Sequence, residues 1–225
     1  MIIKSFNTEY LKYLFPQRTR LMTEYALTTD SDPALVASQI NTMVDKDYQQ
    51  IKSFLPKQAS NILDIGCGLG LIDIAFSNHY NSEVDIHLLD KTQDLQEGEN
   101  VRGFNKQYTF YNSLQGSKET LTTNGVPESK IHTYEVGQHE RLNEIKFDLI
   151  VSLLSCGWHY GIENYVELIN NQLNENGILI LDIRHNTGQL EYASEHFNLI
   201  EVIENTNESK HTGGTVGDRY VFTKK

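Results

Sequence analysis

The chain has 225 residues, and at roughly 150 residues per domain this length predicts one domain with room for a small cap. Hydrophobic residues make up 39% and charged residues 22% of the chain, with 12 Tyr and 9 Phe, which excludes a disordered, coiled-coil or collagenous protein. Acidic residues outnumber basic ones 30 to 19, giving a formal net charge of −11. This charge argues against a nucleic-acid partner and against an anionic membrane, since both are bound through clustered Lys and Arg.

The two cysteines, Cys67 and Cys156, lie far apart and form no CxxC spacing. This excludes a disulfide framework and a structural zinc site, and no His or carboxylate set at metal-ligand spacing predicts another metal. Residues 1–15 are too polar for a signal peptide, and no apolar run reaches the length of about 18 residues that spans a membrane. We therefore expect a cytoplasmic protein with reduced thiols.

Residues 1–32 are aromatic and irregular and are predicted to form an N-terminal helical cap, with the main domain over 33–225. Asp32 before Pro33 predicts a helix start, and the apolar spacing carries that helix to Leu55. Further elements follow in chain order: strand 61–65, helix 71–76, strand 84–89, a loop or insertion over 91–110, helix 113–123, strands 131–136 and 147–154, helix 162–173 closed by Asn176-Gly177, strand 178–183, helix 188–197, strand 199–203, a turn or mobile loop over 210–217 and strand 218–223.

Apolar strands that alternate with helices indicate a parallel sheet covered on both faces. The last two strands leave no room for a crossover helix, so they should pair antiparallel. The predicted fold class is α/β, a three-layer sandwich around a Rossmann-like, mainly parallel seven-stranded sheet with an antiparallel last strand.

The most specific motif is the run from Asp64 to Gly70, which reads Asp-Ile-Gly-Cys-Gly-Leu-Gly at the end of the first strand. Glycines there permit positive φ and let the backbone lie against a ligand at a helix N-terminus. A second acid, Asp90, ends the second strand, a position that suits a carboxylate binding the hydroxyls of a ribose.

Two nucleotide-binding patterns compete for this turn. The dinucleotide pattern requires Gly or Ala five residues after Gly66, where this chain has Leu71. The order Asp-x-Gly-x-Gly-x-Gly instead resembles motif I of class I S-adenosylmethionine-dependent methyltransferases. The resemblance covers the chain from about Ser31 to the C-terminus and includes the position of Asp90.

This resemblance implies S-adenosylmethionine as cofactor and S-adenosylhomocysteine as product. In that family an Asp after the third strand often contacts the adenine amine, whereas here Val136-Gly137-Gln138 leaves this contact to the Gln138 carbonyl oxygen. The resemblance implies cofactor contacts along the whole ligand, from the methionine end through the ribose to the adenine, and at the sheet ends. The implied residues are Asp64, Gly66, Cys67, Gly68, Gly70, Asp90, Lys91, Gln138, Ser152 and Leu153.

The acceptor should lie beyond the fourth strand, in the segment 152–160. Enzymes that methylate nitrogens of nucleic-acid bases carry Asn or Asp followed by Pro-Pro and an aromatic residue at this point, and enzymes that methylate cytosine carbon carry a Pro-Cys nucleophile. Neither pattern occurs here, which favours a small-molecule acceptor. We expect the methyl group to go to oxygen rather than nitrogen, on a sugar or another metabolite. His159 is the first candidate for a general base, because an imidazole titrates near neutral pH. It could equally cap the next helix or pack on an aromatic ring.

Two further residues complete the catalytic candidates. Tyr160, with Trp158, could form the acceptor wall or anchor the loop, and His185 is the second candidate base. Two alternatives stay open: a nicotinamide-dependent oxidoreductase and a non-catalytic protein that binds S-adenosylmethionine or acts as an adapter. The sequence does not predict the oligomeric state.

Overall fold

Strands and helices alternate along the chain and build a sheet with helices on both faces. The computed structural model describes residues 1–14, 27–93, 104, 112–138, 140–204, 208–209 and 214–225. The strands are β1 (Asn61–Ile65), β2 (Asp85–Asp90), β3 (Ile131–Glu135), β4 (Phe147–Ser152), β5 (Leu173–Arg184), β6 (Phe197–Ile203), β7 (Glu208–Ser209), β8 (Gly214–Thr215) and β9 (Gly217–Lys224). The α-helices are α1 (Pro33–Ile51), α2 (Leu71–His79), α3 (Leu114–Thr123), α4 (Val166–Gln172) and α5 (Gln189–His196).

Seven of the strands form one sheet in the order β3-β2-β1-β4-β5-β9-β6. The pairs from β3 to β5 are parallel, and β9 runs antiparallel to both β5 and β6. The predicted fold class is therefore confirmed. The strand order reverses between β1 and β4, and in open α/β sheets ligands bind at the carboxyl ends of the strands beside such a switch point.

Both faces of the sheet are packed, as the near-continuous apolar strands predicted. Ile62 lies in the core formed with α1, α2 and α3, whereas Leu63 lies in the core of the opposite face with α4 and α5. Leu149 and Ile150 of β4 alternate in the same way. Successive strand residues point to opposite faces, so this alternation produces the three layers.

Asp32 and Pro33 begin α1 as the sequence predicted, with the Asp32 carboxylate accepting the Ala34 N–H at 2.9 Å. The prediction of one helix over 162–173 is wrong. A 3-10 turn at Ile162–Asn164 precedes α4, and Leu173 already begins β5.

Gly177 lies inside β5 and does not end a helix. The pairing between β4 and β5 shifts register between Phe147 and Leu149 at this point. A Cβ on Gly177 would lie 2.7 Å from Leu173 Cδ1, so the irregular strand brings other atoms too close for a side chain. The glycine therefore marks a strand irregularity and not a helix stop.

The N-terminal segment packs against α1 and α3. The Ile3 N–H donates to Asn41 Oδ1 at 2.9 Å, and the Lys4 N–H donates to Asn124 Oδ1 at 2.6 Å. A 3-10 helix covers Thr8–Leu14. The predicted division at residue 32 stays a prediction, and the loops predicted over 91–110 and 210–217 lie largely outside the described residues, as does part of the cap.

Strand β6 forms one edge of the sheet and exposes apolar side chains. Leu199, Ile200 and Val202 are 41%, 49% and 37% exposed. The pairing of β6 with β9 shifts between Leu199 and Glu201, so Ile200 is an extra residue in the edge strand.

The guanidinium of Arg219 on β9 is buried between the sheet and α1. Its Nε and Nη2 donate to the two oxygens of the buried Asp182 at 2.7 and 3.1 Å, a bidentate pair. Nη2 also donates to Asp47 Oδ1 of α1 at 3.4 Å, and Nη1 donates to Gln50 Oε1 of the same helix at 3.2 Å. One cation therefore connects β5, β9 and α1.

Replacing this cation should be costly. Arg219→Leu leaves the Asp182 carboxylate buried without a counter-charge, and we expect the free energy of unfolding to fall by about 3–5 kcal/mol in urea titrations. Glu175→Gln is the control, because it removes only the surface pair between the exposed Glu175 and Lys224 and should leave stability almost unchanged. Equal stability of the two variants would contradict the structural role of the buried pair.

Candidate functional site

The glycine turn after β1 has a backbone conformation that requires glycine. Gly66, Gly68 and Gly70 have φ values of 72°, 52° and 66°, all in the left-handed region. The Gly66 N–H donates to the Leu89 carbonyl at 2.7 Å, which joins the turn to β2. A Cβ on Gly68 would meet no atom within 4 Å, so the turn presents bare backbone to open space at this residue.

Asp90, at the end of β2, binds the turn through its carboxylate. Oδ2 accepts the Gly68 N–H at 2.8 Å and the Asn112 amide at 3.0 Å, while Oδ1 accepts the Lys91 N–H at 2.7 Å. A carboxylate has about four acceptor positions, so Oδ1 retains one for a ligand hydroxyl. Burial raises the pKa of Asp90 to about 7, although these hydrogen bonds oppose the rise.

Two side chains that the sequence analysis did not single out complete this contact. Asn112 Nδ2 donates to the Gly68 carbonyl at 2.7 Å, and Ser117 Oγ donates to the same oxygen at 2.6 Å. Both reach the turn from a segment more than 40 residues later in the chain, at separations of 44 and 49 residues. No local pattern marks them, because only the tertiary fold brings them to Gly68.

Two buried carboxyl groups, Asp64 of β1 and Asp73 of α2, face each other beside the turn. Their residues are 3% and 0% exposed. Asp64 Oδ1 and both Asp73 oxygens receive no hydrogen bond from any other group within the described part of the chain. Burial raises the pKa of Asp73 to about 7, and burial followed by the charge of Asp73 raises the pKa of Asp64. Asp64 was a predicted site residue, whereas Asp73 was not.

The loop after β4 is tied to the glycine turn. Ser152 Oγ donates to the Ile65 carbonyl at 2.7 Å and accepts the Cys156 N–H at 2.9 Å. Leu154 has a positive φ of 58°, and its N–H donates to Asp182 Oδ2 at 3.2 Å. Ser152, predicted as a wall residue, is thus a buried link between two strand ends, and Leu153 is half-buried beside it.

Ser155 and Tyr160 lie directly against Gly66. Their hydroxyl oxygens are 2.8 Å apart, and a Cβ on Gly66 would lie 1.7 Å from Ser155 Oγ and 3.0 Å from the Tyr160 hydroxyl. Tyr160 is 4% exposed, and burial raises the pKa of its phenol. The segment predicted to receive the acceptor therefore adjoins the methionine end of the predicted cofactor site.

The two candidate histidines have different surroundings. The His159 N–H donates to the Ser155 carbonyl at 2.8 Å in the turn that ends β4, and its ring is half-buried. The His185 ring lies with Nε2 2.8 Å from Asp218 Oδ2, and its side chain is 35% exposed. Trp158, the residue before His159, is buried, and the Arg184 guanidinium lies 4.7 Å from the centre of its ring.

An open cavity of about 460 Å³ lies at the carboxyl end of β3. Gln138 lines it together with Leu114, Thr133, Tyr134, Glu135 and Arg141. The Gln138 N–H donates to the Glu135 carbonyl at 2.9 Å, across a turn in which Gly137 has a φ of 86°. Gln138 therefore lies at the edge of the sheet where the sequence analysis expected an adenine contact.

The described residues form neither a metal-binding cluster nor a membrane-spanning helix. They include no group of three or more His, Cys, Asp or Glu arranged to hold a metal ion. Both cysteines are buried, and they form no disulfide with each other. None of the helices has both the length and the apolar character needed to cross a membrane. The cytoplasmic location stays a prediction.

The glycines of the turn should differ in their tolerance of alanine. Gly68→Ala places its Cβ in open space and should cost about 1 kcal/mol for the positive φ alone. Gly66→Ala adds a steric overlap with Ser155 and should cost at least about 2 kcal/mol more, measured by urea unfolding. Equal losses in the two variants would show that Ser155 does not lie against Gly66.

No protein-family model matches the chain, and no curated protein sequence matches it. Solved structures do resemble it. A TehB-like S-adenosylmethionine-dependent methyltransferase from Corynebacterium glutamicum aligns with 96% of this chain and 100% of its own, at 19% identity and a TM-score of 0.51. The StiE O-MT structure aligns with 95% of this chain and 81% of its own, at 12% identity and a TM-score of 0.54.

A cyclopropane-fatty-acyl-phospholipid synthase-like protein from Lactobacillus casei aligns with 85% of this chain and 94% of its own, at 10% identity and a TM-score of 0.56. At these identities the likeness concerns the fold. The chain has the fold of class I S-adenosylmethionine-dependent methyltransferases, as its glycine turn implied.

Proposed function

We propose that the protein transfers a methyl group from S-adenosylmethionine to a small-molecule acceptor, with a hydroxyl oxygen as the methylated atom. One observation carries the cofactor assignment: the glycine turn presents bare backbone at Gly68 to open space, with the Asp90 carboxylate bound to the same residue. The cofactor would supply an activated methyl group on a sulfonium. The fold agrees with this assignment.

The residues at the switch point fit such a cofactor. Asp90 has an acceptor position left on Oδ1 for a ribose hydroxyl, and Gln138 borders a cavity large enough to admit a base. Asp64 has a buried oxygen without a donor near the end of β1, where a ligand ammonium group would be stabilised. Leu71 occupies the position at which a dinucleotide-binding turn requires a third small residue, which disfavours a nicotinamide cofactor.

Calorimetric titration tests the cofactor assignment. We expect S-adenosylhomocysteine to bind with micromolar affinity and NADH not to bind. Asp90→Ala should weaken binding by about 10- to 100-fold, because a hydrogen bond to a charged group contributes about 1.5–3 kcal/mol. Asp85→Ala is the matched control, since Asp85 begins the same strand and pairs with Lys130 and His132 instead. Binding of NADH but not of S-adenosylhomocysteine would contradict the assignment.

A hydroxyl acceptor needs a group that removes its proton during transfer. His185 is the stronger candidate base, because Asp218 holds its Nε2 and thereby directs Nδ1 outward as the proton acceptor. Its side chain is partly exposed, so a substrate can reach it. Tyr160 is a weaker candidate, since its hydroxyl is buried against Ser155 and its pKa is raised. His159 stays the alternative base.

Replacement of His185 tests the acceptor chemistry. Screening hydroxyl compounds for release of S-adenosylhomocysteine identifies an acceptor, and His185→Gln should then lower kcat by about 10²- to 10⁴-fold without changing cofactor affinity. His159→Gln is the matched comparison and should retain most of the activity. If His159→Gln abolishes transfer while His185→Gln does not, the roles of the two histidines are reversed.

A further inference from the structure

Neither the glycine turn nor the start of α2 requires two buried carboxyl groups at Asp64 and Asp73. Gly70 caps that helix without any side-chain hydrogen bond, and the Gly70 N–H donates to the Cys67 carbonyl at 2.9 Å. Asp73, in the first helical turn, has Oδ2 3.5 Å from the place that a Cβ on Gly70 would occupy, and its carboxyl group faces its own backbone N–H. It also lies close enough to Asp64 for the two carboxyl groups to interact.

The groups around this pair are acidic. Asp90 of β2 adds its negative charge to that of Asp73 at Asp64, and the neighbouring Cys67 thiol is buried in the same field, with a raised pKa. Among the described residues, no lysine, arginine or histidine forms an ion pair with Asp64, Asp73 or Asp90. Two buried carboxylates this close repel each other, so ionisation of both is disfavoured unless a cation lies beside them.

A ligand with a positive charge can supply that cation. S-adenosylmethionine and S-adenosylhomocysteine both carry an ammonium group on the amino-acid end, which is the end the turn at Gly66 would face. Asp64 retains a small exposed surface, whereas Asp73 has none. The ammonium group would therefore contact Asp64, and Asp73 would act only through Asp64.

We propose that Asp64 and Asp73 share one proton in the ligand-free protein, and that the ammonium group of the ligand displaces this proton, with Asp73 as the positioning residue for Asp64. The inference rests on the proposed function, since it concerns the same cofactor. On binding, the shared O–H bond breaks and the proton passes to the buffer. Both carboxylates then remain ionised beside one ammonium group, and no electron is transferred.

Proton release is measured by titrating the protein at pH 7 in two buffers of different ionisation enthalpy. The two ligands are S-adenosylhomocysteine and 5′-methylthioadenosine, which lacks the amino-acid end but retains the ribose and adenine. Any proton that Asp90 releases on binding a ribose hydroxyl is common to both ligands. We expect S-adenosylhomocysteine to release about one more proton than methylthioadenosine. Because binding releases this proton, its affinity relative to methylthioadenosine should fall by up to about tenfold for each unit that the pH is lowered below 7.

Asp73→Asn separates the proposed role from a merely structural one. The asparagine amide can donate to Asp64 permanently, so the extra proton should fall to near zero while methylthioadenosine affinity is unchanged. Asp64→Asn gives a second variant with the same expected loss of the extra proton. Asp45→Asn, at an exposed acid of α1, is the matched control and should release protons as the unmodified protein does.

The proposal is overturned if the unmodified protein releases equal numbers of protons with both ligands, or if Asp73→Asn retains the difference. The unmodified protein alone decides the first point, so an unstable variant does not leave the question open. Absence of binding by both ligands to folded protein is a different result: it refutes the proposed function, and the role of the pair with it.

Discussion

The buried Asp182 carboxylate lies between the Arg219 guanidinium and the backbone of Leu154 and accepts hydrogen bonds from both. Arg219 extends this contact to Asp47 and Gln50, so the position of α1 depends on the same carboxylate. Leu154 holds a left-handed conformation that a residue with a Cβ adopts only under restraint, and the hydrogen bond from its N–H supplies that restraint. The loop beyond β4, and with it the surface that meets Gly66, is therefore positioned by a charge pair inside the sheet.

The buried carboxyl groups of the protein differ in whether a cation lies beside them. Asp182 has a permanent cation as its partner, which makes it a structural element. Asp64, Asp73 and Asp90 have no such cation among the described residues, and burial raises the pKa of each of them. The cation-bound carboxylate lies beside the loop after β4, whereas the other three carboxyl groups lie beside the glycine turn.

Local patterns were sufficient to predict the fold and the position of the turn. Strand periodicity, the Asp32-Pro33 helix start and the glycine spacing each depend on neighbouring residues alone, and the structure has all three. Contacts between distant segments were not predictable in this way. Asn112 lies 44 residues after Gly68 and meets the turn only in the folded chain. Asp73 is near Asp64 in the sequence, but only the packing of α2 on the sheet buries the two carboxyl groups together. Gly177 was misread because a glycine after an apolar helix pattern is also what a crowded strand irregularity requires.

The extra residue at Ile200 has a consequence for the free edge of the sheet. An unpaired edge strand normally offers an evenly spaced row of N–H and C=O groups to any extended chain that approaches it. In β6 the spacing of these groups is interrupted between Leu199 and Glu201. The exposed apolar side chains of the strand would otherwise favour pairing with another chain. An incoming strand can match the groups on one side of Ile200 or on the other, but a straight strand cannot match both. The interruption thus disfavours the addition of a further strand along the whole length of β6.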